Sequence, residues 1–233
     1  MLVFIDDIKK QIFIVPPKCG NNTLCSYLGV QLHYEHKNTI EFLNDETFVK
    51  IMIIRDDLVD RFLSGFYEDL FNNQCYDDID ITFTDYLFFL HYCFVNKIPK
   101  VCNLNIYLNK KHSIYFGNCS NVSLPITNDE GEFISHIQTQ KYTLKNFLNL
   151  KNIKLLKIKN LNKFLNSDIR KNTKEKEKIL INLDKIKLCE MKNKGLIINK
   201  NCLNQKHIEI ILDMYNEDKE FIQKIEKKYG YII

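Results

Sequence analysis

Apolar residues along this chain fall into two kinds of run. Ile12 to Val15 are four consecutive apolar residues, three of them β-branched; the run is too short for a buried helix and predicts a strand covered on both faces. The runs Val49–Ile54 and Ile153–Ile158 predict two more such strands. Each is followed by helical spacing. Asn21, Asn22 or Thr23 can cap a helix through Leu24, Tyr27 and Leu28 to Gly29, and Asp56 and Asp57 can cap a longer one. On that longer helix Leu58, Val59, Phe62, Leu63, Phe66, Leu70 and Phe71 form one stripe, which puts Arg61 and Ser64 on the opposite side. A helix containing Leu161, Phe164 and Leu165 follows the third strand.

Other segments complete the pattern. Thr82–Val95 predicts a strongly apolar helix whose aromatics are core residues. Val30–His36 predicts a strand, and Leu104–Leu108 with Ile114–Phe116 a small hairpin. Gly117–Glu132 reads as a surface excursion, Thr143–Leu150 as a short helix and Lys171–Lys178 as a solvated mixed-charge run. From Gln205 to Tyr229 two amphipathic helices broken near Asn216 turn Ile208, Ile211, Leu212, Tyr215, Phe221, Ile222 and Ile225 inward, over the sheet as a C-terminal lid. Strands alternating with helices predict an α/β fold: a single domain over residues 1–233 with a short central parallel sheet flanked by helices. Right-handed connections then bring the loops after Val15 and Ile54 to one edge.

Composition narrows the function without naming it. The 233 residues carry a formal net charge of +4, with basic residues interspersed among acids, so generic nucleic-acid binding is not indicated. Eight cysteines show no metal-ligand spacing, and no metal is expected. Free thiols in a reducing compartment, and the lack of any run near the roughly 20 apolar residues of a membrane span, lead to the expectation of a cytoplasmic protein without a membrane span.

The chemistry concentrates in the first 70 residues. A strand ending in Pro16-Pro17-Lys18-Cys19-Gly20 and opening into a capped helix suits a phosphate or sulfate group, because the first N–H groups of a helix lack intrahelical acceptors. Arg55 ends the next strand, with Arg61 and Ser64 neighbours on the helix after it; these are charge-assisted donors for a second phosphate.

The two stretches, Pro17-Lys18-Cys19-Gly20-Asn21-Asn22-Thr23-Leu24 and Arg55-Asp56-Asp57-Leu58-Val59-Asp60-Arg61-Phe62-Leu63-Ser64-Gly65-Phe66, together resemble the sulfotransferase superfamily. The family's 5′-phosphosulfate loop has the form Pro-Lys-x-Gly-(Thr/Ser/Asn)-(Thr/Ser)-(Ser/Thr)-Leu, and its 3′-phosphate element Arg-x-Pro-x-x-Arg-x-x-Ser-x-(Tyr/Phe). Asn22 stands where Thr or Ser is usual, and Asp57 where Pro is usual. His136-Ile137-Gln138-Thr139-Gln140 resembles the His-Trp-x-Pro-Gln element of carbohydrate sulfotransferases, with Ile137 and Thr139 replacing Trp and Pro.

The resemblance implies a P-loop-like fold and transfer of a sulfuryl group from 3′-phosphoadenosine 5′-phosphosulfate, the co-substrate, to an acceptor hydroxyl on a carbohydrate. It assigns Lys18, Cys19, Gly20, Asn21, Asn22, Thr23 and Leu24 to the phosphosulfate, and Arg55, Arg61 and Ser64 to the 3′-phosphate, with bracing of the fold as the alternative role for Arg61. Lys18 would stabilise the leaving phosphate, and His33, His36 or His136 would serve as general base. The donor-binding core would span about 10–75, an acceptor-side insertion about 97–140 and the C-terminal helices about 205–229. Two other readings share the fold: a catalytically silent nucleotide- or glycan-binding protein, and a nucleotide kinase, although no G-x-x-x-x-G-K-[ST] sequence occurs.

Overall fold

The computed structural model describes residues 2–28, 32–33, 37–72, 81–95, 102–103, 123–124, 137, 139–166 and 181–232. In chain order the elements begin with β1 (Leu2–Asp6), β2 (Gln11–Val15), α1 (Asn21–Leu28), β3 (Leu32–His33), α2 (Lys37–Asn44), β4 (Val49–Ile54), α3 (Leu58–Asn72) and α4 (Phe83–Val95). They continue with β5 (Cys102–Asn103), β6 (Ser123–Leu124), α5 (Gln140–Leu144), β7 (Ile153–Lys157), α6 (Leu161–Leu165), α7 (Leu188–Asn193), α8 (Gln205–Met214) and α9 (Asn216–Tyr229). Two compact units interleave along the chain, the first taking residues 1–57, 139–176 and 217–233 and the second 58–138 and 177–216.

The first unit is built on a five-stranded sheet of order β3-β1-β2-β4-β7. Its β2, β4 and β7 are parallel, as their apolar runs predict, but β1 is antiparallel to both β2 and β3, so the sheet is mixed rather than parallel. The reason lies in the connection. Only Asp7 to Lys10 separate β1 from β2, with the Lys9 N–H donating to Asp6 Oδ1 at 3.0 Å, and a link this short can only reverse the chain. The apolar start at Leu2–Ile5, to which the sequence reading assigns no element, is thus a strand.

Both faces of the sheet are covered. Phe4, Phe13, Val15, Ile51, Ile53 and Leu156 form one core cluster with Leu24 of α1 and Leu161 and Leu165 of α6. Ile12, Ile14, Met52, Ile54 and Leu155, alternating with them, are buried as well. Each such side chain contributes roughly 1.5–3 kcal/mol of burial. The open edge of β7 is closed by the chain end, where Leu155 N–H donates to Gly230 O at 3.1 Å and Ile232 N–H donates to Leu155 O at 2.8 Å.

The second unit packs α8 against α4 and α3, with α7 against α3 and a short antiparallel β5–β6 pair. Its core is aromatic. Phe66 meets Phe83 edge to face at 5.1 Å between centroids and Tyr86 at 5.7 Å, and Tyr215 meets Phe62 at 6.5 Å.

Arg61 is fully buried although it lies opposite the apolar stripe of its helix: α3 is wrapped by α7 and α8 as well as carrying its own stripe, and the guanidinium lies 5.3 Å from the Tyr215 ring centroid. Of the two C-terminal helices, α8 belongs to the second unit and α9, from Glu217 on, to the first. Leu212 is 43% exposed; His207 and Ile210 are buried on that helix instead.

The expected strands at Leu104–Leu108 and Ile114–Phe116, the run Lys171–Lys178 and most of Val30–His36 and Gly117–Glu132 lie outside the described residues. Among the described residues no helix is long and apolar enough to cross a membrane.

His207 anchors α8 by a reciprocal cap. The Asn204 side chain accepts from His207 N–H at 2.9 Å, while His207 Nδ1 accepts from Asn204 N–H at 3.4 Å. With Nδ1 accepting, Nε2 carries the proton and donates to Thr84 Oγ1 at 2.9 Å, and Thr84 Oγ1 lies 2.7 Å from Asp184 Oδ1. Burial pushes the imidazole's pKa below its ordinary 6.5, with Lys206 adding to the effect and Asp184 opposing it.

Protonation therefore favours the unfolded chain. This contribution to stability is complete above about pH 6.5 and declines as pH falls below that value. Denaturant midpoints measured from pH 7.5 to 5 should fall for the wild type and fall less for His207→Gln; parallel curves would show that His207 does not titrate on unfolding. A second expectation concerns Gly20, whose φ is +103° and where a Cβ would stand 2.7 Å from Leu161 Cδ2. Gly20→Ala should cost about 1–3 kcal/mol, read by thermal denaturation. An unchanged midpoint would mean that this loop yields freely.

Candidate functional site

The parallel pairing of β2 with β4 sets Gln11 beside Val49 and Ile14 beside Met52, so both strands end at the same edge of the sheet. The loop after β2 and the segment after β4 are therefore neighbours, the arrangement in which open α/β sheets bind ligands.

The loop is tightly wound. Cys19 N–H donates to Pro16 O at 3.2 Å, and Leu24 N–H makes the first helical bond of α1 to Gly20 O at 3.1 Å. Between them Lys18 holds a left-handed φ of +62° and Gly20 one of +103°. A left-handed lysine costs about 1–2 kcal/mol relative to an ordinary backbone, and such strain collects at sites that need a particular backbone shape. Cys19 and Leu24 point into the core cluster, which pins both ends of the turn. With the Leu24 N–H committed to Gly20, the N–H groups without an intrahelical acceptor at this helix start are those of Asn21, Asn22 and Thr23. Asn22 is exposed and Thr23 half-buried.

Arg55 leans across from the end of β4, its Nη1 donating to Lys18 O at 3.1 Å. A guanidinium has five N–H donors, and this is the one hydrogen bond it makes among the described residues. Its neighbour Asp56 turns the other way, to Lys157 Nζ at 3.1 Å and Lys159 Nζ at 3.8 Å. Partial burial pushes the Asp56 pKa up, but the hydrogen bond and charge of Lys157, helped by Lys159, outweigh this and hold the carboxyl below its ordinary range. The Arg55 charge is thus left unneutralised by the acid beside it.

The arrangement is tied together by a residue that the sequence reading associates with the site only through resemblance. Gln140, fully buried at the start of α5, accepts from Arg55 N–H through Oε1 and donates to Arg55 O through Nε2, both at 2.9 Å. Cys19 Sγ–H reaches the same Oε1 at 3.5 Å. Gln140 and Lys141 in turn donate their backbone N–H groups to the two carboxylate oxygens of buried Asp218 on α9, at 2.8 and 2.7 Å. Asp218 gives no signal in the sequence beyond its place near a helix start; the partner it caps lies 78 residues away.

The remaining candidates are placed as follows. His33 ends β3, paired with Leu2, which is paired on its other side with Val15. Its backbone is therefore at the level of the end of β2, two strand spacings away, about 10 Å. His36 and His136 lie outside the described residues. Arg61 and Ser64 belong to the second unit, Arg61 buried under Tyr215 and Ser64 half-buried. No cluster of His, Cys, Asp and Glu among the described residues is arranged to hold a metal ion. No protein family, no curated protein sequence and no solved structure matches this chain.

Proposed function

We propose that this protein is a sulfotransferase that moves a sulfuryl group from 3′-phosphoadenosine 5′-phosphosulfate to the hydroxyl of a carbohydrate acceptor. The observation that carries the reading is Arg55: a half-buried guanidinium with one donor committed to the loop backbone, beside a left-handed Lys18-Cys19-Gly20 turn that opens a helix. Helix-start N–H groups and a guanidinium side by side suit a ligand with two phosphate-type groups. The resemblance of Pro17 to Leu24 and of Arg55 to Phe66 to the sulfotransferase elements, with departures at Asn22 and Asp57, supports the phosphosulfate donor among such ligands.

The roles follow from charge. Sulfuryl transfer resembles phosphoryl transfer in passing through a loose in-line transition state, so the protein contributes position and charge neutralisation. The N–H groups of Asn21 to Thr23 and the Thr23 hydroxyl hold the 5′ end, Arg55 holds the 3′-phosphate, and Lys18 neutralises the leaving phosphate as the bond to sulfur breaks. A neutral histidine takes the acceptor's proton, and His33, at the same sheet edge, is the described candidate.

Adenosine 3′,5′-bisphosphate should raise the melting temperature in proportion to the logarithm of its concentration, and ATP, lacking the 3′-phosphate, much less. Equal shifts would remove the sulfotransferase reading in favour of a general nucleotide binder. For Lys18 the informative variant is Lys18→Gly, because glycine adopts φ +62° without strain and isolates the side chain's chemistry. Its thermal midpoint should stay near the wild-type value while single-turnover transfer falls by roughly 10²–10³. Transfer at the wild-type rate would show that the ammonium group takes no part.

A further inference from the structure

The Gln140 side chain is a planar amide presenting one acceptor and one donor to the peptide unit of Arg55, whose own N–H and C=O fix which end is which. The same acceptor takes the Cys19 thiol of the phosphate loop. One buried amide thus touches both halves of the candidate site, through the Arg55 backbone and the buried Cys19 thiol. Its own main chain is held by the Asp218 carboxylate, so it is anchored independently of the groups it holds.

We propose that Gln140 is the positioning residue of this site: it sets the distance between the Lys18-Cys19-Gly20 turn and the Arg55 guanidinium, and so the span between the two anionic groups that the protein accepts. The inference rests on the nucleotide reading for its ligand and on the hydrogen bonds for its mechanism. Gln140 does not touch the nucleotide; it acts through the Arg55 peptide and the loop. A misplacement of about 1 Å between two such groups weakens their joint grip by as much as 10²-fold, so the loss of an amide that fits both is felt in affinity. The role needs a glutamine, because Glu lacks the donor that Arg55 O requires, Met lacks both groups, and Asn is one methylene too short to reach.

A double-mutant cycle on the full chain tests this. Affinity for adenosine 3′,5′-bisphosphate is titrated calorimetrically for the wild type, Gln140→Met, Arg55→Ala and the double variant, at a temperature well below every thermal midpoint. Gln140→Met should raise Kd by roughly tenfold to a hundredfold when Arg55 is present and by about twofold or less when it is absent, because residues that act together are not additive. The same factor in both backgrounds, or a lower melting temperature with unchanged Kd, would make Gln140 a structural residue only and overturn the proposal. If Gln140→Met does not fold, Gln140→Asn carries the same cycle.

A second arm needs no nucleotide. Alkylation of the buried Cys19, mapped by mass spectrometry, should run at least about tenfold faster in Gln140→Met, as expected where a local contact is lost, while Cys189 in the second unit reacts at its wild-type rate. Failure of the wild type to bind the nucleotide would sink the functional reading alone, and the alkylation rates would then decide the clamp: unchanged Cys19 reactivity overturns it.

Discussion

The candidate site depends on one side-chain amide that behaves as a piece of backbone. A strand end has N–H and C=O groups with no partner in the sheet, and burying them unsatisfied costs about 1–3 kcal/mol each. At Arg55 the Gln140 amide satisfies both, from a segment 85 residues away. The amide is itself buried, so its donor and acceptor must be paired as strictly as those of the peptide it serves. The Asp218 carboxylate extends the chain of satisfied groups by accepting the two N–H groups at the start of α5.

Around that clamp the charges are sorted by direction. Arg55 and Asp56 are consecutive, yet the arginine reaches toward the loop after β2 and the aspartate toward Lys157 at the end of β7. Had they paired with one another, the Arg55 charge beside the helix start would be neutralised by its own neighbour. The separation leaves the guanidinium, the Lys18 region and the first turn of α1 on one side, and on the other a group in which Asp56 and Glu226 offset Lys157 and Lys159. The loop holds a left-handed lysine in this setting because Cys19 and Leu24 are locked into the core at either end of the turn and Gly20 is pressed against Leu161.

The two arginines of the second motif illustrate how little a residue's type says about its work. Arg55 is half-buried at a strand end and keeps donors available; Arg61 is enclosed in the second unit, its charge set over the Tyr215 ring. A cation over an aromatic face is worth about 0.5–2 kcal/mol, more as water is excluded. Tyr215 is itself fixed by donating its hydroxyl proton to Ile137 O, so Arg61 belongs to a packed assembly of α3 and the end of α8.

Local periodicity determined a good part of this protein from the sequence alone. The strands at Ile12–Val15, Val49–Ile54 and Ile153–Lys157, the helices after them and the break near Asn216 are all legible, because burial on a strand or one helix face repeats at a spacing that a single sequence displays. The strand, turn and helix start that carry Lys18 and Gly20, and the strand end before Arg55, were legible for the same reason: all three elements are local. Long-range choices were not. Leu2–Ile5 is an apolar run that only its pairing partner makes a strand, and that pairing turned a parallel sheet into a mixed one. Arg61 lies opposite the apolar stripe by its angle on α3, yet helices from distant sequence cover it, while Leu212, apolar and on the expected face, is left exposed. Gln140 and Asp218 carry ordinary polar side chains whose meaning is their partner, and the partner of a buried hydrogen-bonding group is set by the packing of the whole unit, which no spacing along the chain records.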